Sequence, residues 1–558
     1  MPPYKKKLRN SDQMEYDQID KKKEHKGIDI LNEDELAHIF SYLSIKDRLT
    51  CEGVSRFWKL TILDSWCFFK KLDLSNATWG LQPKKNGRRL PIIKTCSINQ
   101  VLRRCGKYLT AIDFMPLRTR YNMMHYYSVF SEKHNDDSCN CVLMAIANNC
   151  INLKYLNVAI CCVKGFKSVA SKCGILNELH LTSYCRDENL NSVTNLLILN
   201  NIKTLSSISL NSFPLTEMLF SKMLHPLRRI RLDFCYDYNN EGEKCIKTIM
   251  ENTPFLEEVK VHGTSLNATD FIKMIARKDL SVLDLTSFYC VEVEKNFTNL
   301  FSKLRNLKTL RLDYVASLNG SCLSKLQFKN LYELHLKYCT NFDPKNLNCL
   351  KFFNNLRILS LHQIKNAQFY LSNNVSYCSN LLQLEIVDVE CSLRTTCGQH
   401  LITHLKKLKE LTIHEYQRGI IVNGVSTREN VNYFNSKDLL TNIGNHLEDL
   451  VKLSLSLRNL EDINLSCLQS NKNLKCLDLN YIPNITGTGL KNNLEILSCI
   501  GCKNLNTYNL VHFTKTAKDL QLLNIYACEN VDCQKLEQAS YNCNKCDRNQ
   551  KFFLSHNR

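Results

Sequence analysis

The sequence predicts an α/β fold: a short three-helix module followed by a horseshoe solenoid of stacked units, with parallel strands on the concave face and helices outside. Three observations predict it. A run of the form L-x-x-L-x-L-x-x, often with cysteine in the ninth place, recurs about seventeen times from Phe69 onward. The usual step between runs is about 20 to 29 residues, enough for one strand and one return segment. The stretch from Leu31 to Phe69 does not repeat, and its apolar residues fall at helical spacing.

Residues 1–27 are polar, charged and aperiodic, which reads as a disordered basic tail. Its clusters Lys5 to Arg9 and Lys21 to Lys26 suit either nuclear import or simple solubility. Residues 28–70 form the helical module. Leu31, Leu36, Ile39, Phe40 and Leu43 gather on one side of a first helix, which Asn32 and Glu35 can cap as a pair. A second helix is expected from Ile45 or Lys46 to about Gly53, and a third across Ser55 to Leu63, with Val54, Phe57, Trp58, Leu60 and Ile62. So short a module cannot bury a self-sufficient core, so part of its apolar surface is expected to belong to another protein.

The repeats are expected over residues 71–530. The clearest copies are Leu153 to Cys161, Leu227 to Cys235, Leu331 to Cys339, Leu494 to Cys502 and Leu520 to Cys528. One unit cannot bury its alternate leucines, whereas stacked units can, with the strands in a continuous parallel sheet. Long steps place insertions near 78–108, 118–140 and 417–440, and residues 531–558 are left as a C-terminal cap or tail.

Composition narrows the class. No apolar window long enough to span a membrane is present, and the basic N-terminus MPPYKKKLRN has no apolar run behind it, so neither a span nor a secretory signal is expected. The 28 cysteines then read as reduced thiols used as small buried groups, and the location as cytoplasmic, nuclear or both. The formal charge of +19 is spread out, at +3 in residues 1–27, −2 in 28–70 and +18 beyond, with cations alternating with acids. Nucleic acid is therefore not the expected partner. No phosphate-binding glycine loop, nucleophile elbow or H-E-x-x-H occurs, so the chain is expected to be non-catalytic and to need no cofactor.

Leu31, Leu36, Ile39, Phe40, Tyr42, Leu43, Asp47, Leu49, Val54, Ser55, Arg56 and Trp58 together resemble an F-box. The run with its ninth-place cysteine resembles the cysteine-containing class of leucine-rich repeat, and the combination resembles the F-box/leucine-rich-repeat family. Asn32 stands where that family has proline, Asp34 where it has glutamate, Glu35 where it has an apolar residue, and Cys67 and Phe68 where it has Leu-Trp. The resemblance implies the substrate-recognition subunit of a Skp-cullin-F-box ubiquitin ligase. A Skp-type adaptor joins it to a cullin-RING core, and the repeats hold an unknown protein substrate for ubiquitination and proteasomal degradation. It also implies an adaptor contact through Leu31, Leu36, Ile39, Phe40, Leu43, Val54 and Trp58. The alternative is a leucine-rich-repeat scaffold or inhibitor whose F-box is vestigial.

On the repeats, residues between the strand leucines are expected to face solvent. Arg229, Arg231, Lys260, Arg311 and Lys337 then form a basic section with Phe234, Tyr314, His335 and Tyr338 beside them. That section is expected to bind an acidic or phosphorylated segment of the substrate, because arginine pairs phosphate bidentately. Cys543 and Cys546 have the spacing of half a zinc site, but no second close pair accompanies them, so no metal is expected.

Overall fold

The computed structural model describes residues 31–81, 93–114, 136–160, 164–183, 202–215, 226–237, 241–263, 268–276, 279–287, 292–324, 329–364, 370–371, 374–387, 402–415, 420–422, 425–427, 436–491, 493–541 and 553–555. The expected tail at 1–27, most of the insertion at 118–140, and Cys543 and Cys546 lie outside them. The chain divides into two compact units, residues 1–177 and 178–558.

The first unit opens with three helices, α1 (Glu33–Ser41), α2 (Ile45–Cys51) and α3 (Arg56–Ser65). Each start is fixed by a polar side chain that accepts from an otherwise unpaired amide. Asn32 and Glu35 form the expected reciprocal pair, at 2.9 and 3.0 Å. Ser44 and Ser55 accept from the amides of Asp47 and Trp58. The runs that start at Phe69 and Leu109, weaker copies of the pattern, also carry strands: Lys71–Asp73, Ala111–Asp113 and Tyr155–Ile160 pair in parallel, with Leu72, Ile112 and Leu156 in register and fully buried. The long step before Leu109 holds helix Thr95–Cys105.

In the second unit the parallel ladder runs from Glu178–Ser183 to Phe553–Ser555. Every unit repeats one register, so Leu283, Leu310, Leu334 and Leu359 lie side by side, as do Leu285, Leu312, Leu336 and Leu361, all buried. The return segments are α-helices in some units, such as Val293–Phe301, and 3-10 turns in others, such as Pro344–Phe352. The insertion after His414 contains an antiparallel hairpin, Ile420–Val422 with Val425–Thr427. Beyond residue 530, helix Cys533–Tyr541 precedes a last strand, Phe553–Ser555, that joins the ladder. Three residues are too few to show the leucine pattern, which is why the sequence reads that region as a cap or tail.

Two features of the repeat hold neighbouring units together. The ninth-place thiols of Cys235, Cys339, Cys502 and Cys528 each donate to the backbone carbonyl of the sixth residue of the preceding unit, Leu210, Leu312, Leu479 and Cys499, at 3.0–3.5 Å. At the other end of the strand, the asparagine before the first leucine donates to a carbonyl of the preceding unit, as Asn355 does to Lys329 and Asn380 to Asn354. No disulfide joins the cysteines whose side chains are described. The eighth place is left-handed in most units, in Ser212, Phe234, Ser287, Tyr314, Tyr338, Gln363, Tyr481 and Ala527, and in Gly263 and Gly501.

Candidate functional site: two interaction surfaces

The first surface is built on α3. Its inner side buries Thr61, Ile62 and Ser65, and Trp58 meets the ring of Phe40 at 5.1 Å. On the other side Phe57, Leu60 and Leu63 are exposed, as are Val54 before the helix, Ile39 and Tyr42 near the end of α1, and Phe68 after α3. A helix apolar on both sides is stable in water only where something covers both. The proposed adaptor residues therefore separate. Ile39 and Val54 are exposed, and Leu31, Leu43 and Trp58 half-buried. Leu36 and Phe40 are 1% and 2% exposed and belong to the core, so they shape the surface without lining it. Helical spacing marks apolar faces but not which of two faces is inside, so Phe57, Leu60 and Leu63 were the residues the sequence left unassigned.

Two further groups fix this module. Arg48 is buried, and its guanidinium donates to the carbonyls of Leu43 and Ser41 and reaches Ser65, which joins the end of α1 to the end of α3. It also lies over the rings of Trp66 and Phe69, at 4.9 and 5.2 Å. Burial lowers its pKa, yet an arginine stays charged. Trp66, fully buried, supplies the aromatic anchor that Cys67 and Phe68 do not. Glu52 accepts the indole hydrogen of Trp66 at 3.4 Å and receives Arg104 bidentately, which ties α2 to helix Thr95–Cys105.

The second surface is the open face of the second unit's sheet, lined by the third, fifth and seventh places of the repeat. The register places Ser209, Arg231, Lys260, Asp284, Arg311, His335, Ser360 and Glu385 in one row, as the sequence reading has it. Each cation of the expected basic section has a carboxylate beside it. Arg229 pairs with Glu178, Arg231 with Asp233 at 2.8 Å, Lys260 with Glu258, Arg311 with Glu333 at 3.4 Å, and Lys337 with Glu385 at 3.0 Å. All of those carboxylates but Glu385 come from the third and seventh places, so a reading weighted to the fifth place undercounts them.

Histidines belong to the same face. His262 lies between Asp233 and Asp284, 2.8 and 3.0 Å away. Burial alone would lower its pKa, but the two carboxylates raise it to about 9, so it is charged at neutral pH. His335 is buried, and burial together with Arg311 and Lys337 pushes it down to about 4, so it is neutral. Glu385 is held well below the usual range: burial opposes this, and His362, Ser360 and Lys337 outweigh it. Aromatic rings edge the face at the eighth place. Tyr314 and Phe234 are exposed, while Tyr338 stacks on Tyr314 with ring centroids 4.4 Å apart and meets His362 edge-on. Phe234 lies over Gly263, where any Cβ would come within 2.8 Å of its ring. Among the described residues no group of histidine, cysteine and carboxylate side chains is placed to hold a metal ion.

Repeats of this register define a leucine-rich-repeat protein, with a helical module ahead of them in the sequence. Residues 33–75 match the F-box-like family, so the chain joins an F-box-like segment to leucine-rich repeats. No curated protein matches it in sequence. Among solved structures it is similar to a chain of a TLR13–ssRNA13 complex, at 17% identity and a TM-score of 0.38, over 87% of this chain and 64% of that one. It thus spans less than two thirds of that protein. A leucine-rich-repeat protein of Leptospira interrogans aligns at 18% identity and a TM-score of 0.35, over 88% of this chain and 97% of that one. No described helix is long and apolar enough to cross a membrane.

Proposed function

We propose that this protein is the substrate receptor of a Skp-cullin-F-box ubiquitin ligase. The exposed side of α3, with Val54, Phe57, Leu60 and Leu63, and Ile39 of α1 receive the Skp-type adaptor; Leu31, Leu43 and Trp58 border it. The observation that carries the reading is a helix apolar on both sides inside the matched F-box-like segment. The open face of the sheet holds the protein to be modified. The chain's contribution is proximity: it raises the concentration of a substrate lysine at the recruited conjugating enzyme and performs no chemistry itself. Its place of action is the cytoplasm or nucleus.

Co-purification with a Skp-type adaptor and its cullin tests the reading. The wild-type chain is expected to retain both, and Phe57→Asp with Leu60→Asp to lose both, because two charges cannot be buried in an apolar contact. An F-box that retains no adaptor in the wild type refutes the ligase and leaves the scaffold reading.

A further inference from the structure

We propose that the edge of the sheet at the N-terminal ends of its strands, from Thr309–Asp313 to Glu410–His414, is a further docking surface that takes an acidic segment of a partner protein. It is separate from the open face and does not depend on the chain's being a ligase subunit.

Three observations carry it. First, this edge is cationic over five consecutive units, those of Leu307, Leu331, Leu356, Leu381 and Leu408. From the fourth residue before the first leucine to the second place, they hold eight lysines and arginines and no carboxylate. Lys308, Arg357 and Lys409 stand at the second place, with Arg305 and Lys406 among those before the leucine, and all five are exposed. The third places add two acids, Glu333 and Glu410, and Glu333 already faces Arg311. Second, these cations are unpaired. Among the described residues no salt bridge reaches any of the eight. Arg357 lies over the ring of Tyr332 at 5.2 Å, and Lys407 donates to the amide oxygen of Asn380 at 2.8 Å, both neutral groups. Elsewhere on the same edge a second-place cation meets the second-place acid of the next unit, Arg228 with Glu257 and Lys475 with Glu495. The strip is therefore particular to these units, and acids bound it: Asp279 before, Glu448 and Asp449 after. Like charges fixed side by side repel one another and gain from an incoming anion. Third, the edge has a shape. Backbone hydrogen bonds link the second places in order, Tyr332 to Lys308, Arg357 to Tyr332, Leu382 to Arg357 and Lys409 to Leu382. At about 4.8 Å per step the row is roughly 20 Å long. The half-buried Tyr332 and Leu382 alternate with the cations, and a groove of about 520 Å³ runs along Tyr332, Arg357, Leu382 and Lys409. A polypeptide can bring carboxylates to the cations and apolar side chains to the groove. A nucleic acid would find cations for its phosphates, but Arg357 already covers the ring on which a base could stack.

A random peptide library displayed on phage and panned over the full chain at physiological salt tests this, with the enriched peptides then titrated by fluorescence anisotropy. Peptides rich in aspartate and glutamate are expected, and Arg357→Glu with Lys409→Glu should weaken them about tenfold or more. That variant should keep the wild-type thermal midpoint, because both side chains are exposed. Lys475→Gln, on the same edge but outside the strip, should leave the affinity unchanged. Enriched peptides that are not acidic would overturn the proposal, as would acidic peptides that bind Arg357→Glu with Lys409→Glu as tightly as the wild type. Polyuridylate, or vesicles of phosphatidylserine, that bound more tightly than any enriched peptide and were lost in the same variant would overturn the peptide class. No enrichment over bare resin would also overturn the proposal.

Discussion

At the scale of single residues, the side chain that closes the helical module is one that no pattern marks. Arg48 reads in the sequence as one cation on a short amphipathic helix, yet it is the hub on which the ends of α1 and α3 close. Its removal leaves buried carbonyls without donors and Trp66 without its cation. Arg48→Met should therefore destabilise the helical module by about 3 kcal/mol, read as faster amide exchange across α1 to α3. His262 and His335 act on stability in opposite directions. The pKa of His262 is raised to about 9, so its contribution is complete below its unfolded value of 6.5 and is lost as pH rises through 9. That of His335 is lowered to about 4, so the folded state loses stability as pH falls from 6.5 towards 4. Urea midpoints should peak near pH 6.5, and His262→Gln should flatten the alkaline side alone.

At the scale of the element, the repeat was largely legible and its fastenings were not. The leucine spacing gave the strands, their direction and the open-face row from Ser209 to Glu385, because one register serves every unit. The first helix and its cap at Asn32 and Glu35 were legible for the same reason: both are local. What was not legible depends on partners a full repeat away. The ninth-place cysteine suggests only that a small residue fits, whereas its thiol spans to the preceding unit's carbonyl. The carboxylates that pair with Arg311 and Lys337 come from the next strand and the next but one, which no single repeat shows. Burial pushes the Cys235 and Cys339 thiols up to about 12, so almost no thiolate forms at neutral pH. Alkylation of the native protein should accordingly label the exposed Cys96 and Cys141 while Cys235 and Cys339 stay unmodified until denaturant is added. Cys339→Ala should cost about 1–2 kcal/mol in urea unfolding.

At the scale of the whole molecule, the chain carries two surfaces of different chemistry. The F-box surface is apolar; the sheet surface is polar, ion-paired and edged by aromatic rings. The first suits a constitutive partner and the second an exchangeable one, since apolar contacts mark stable interfaces and balanced charge confers selectivity. The net charge of +19 misleads at this scale, because the cations of the open face are paired where they stand. The most direct measurement is reconstitution of the purified chain with a Skp-type adaptor, followed by size-exclusion chromatography with in-line light scattering. The account predicts a one-to-one complex that Phe57→Asp with Leu60→Asp abolishes while the variant stays folded by circular dichroism; a wild-type chain that elutes alone, or a variant that binds as well, would contradict it.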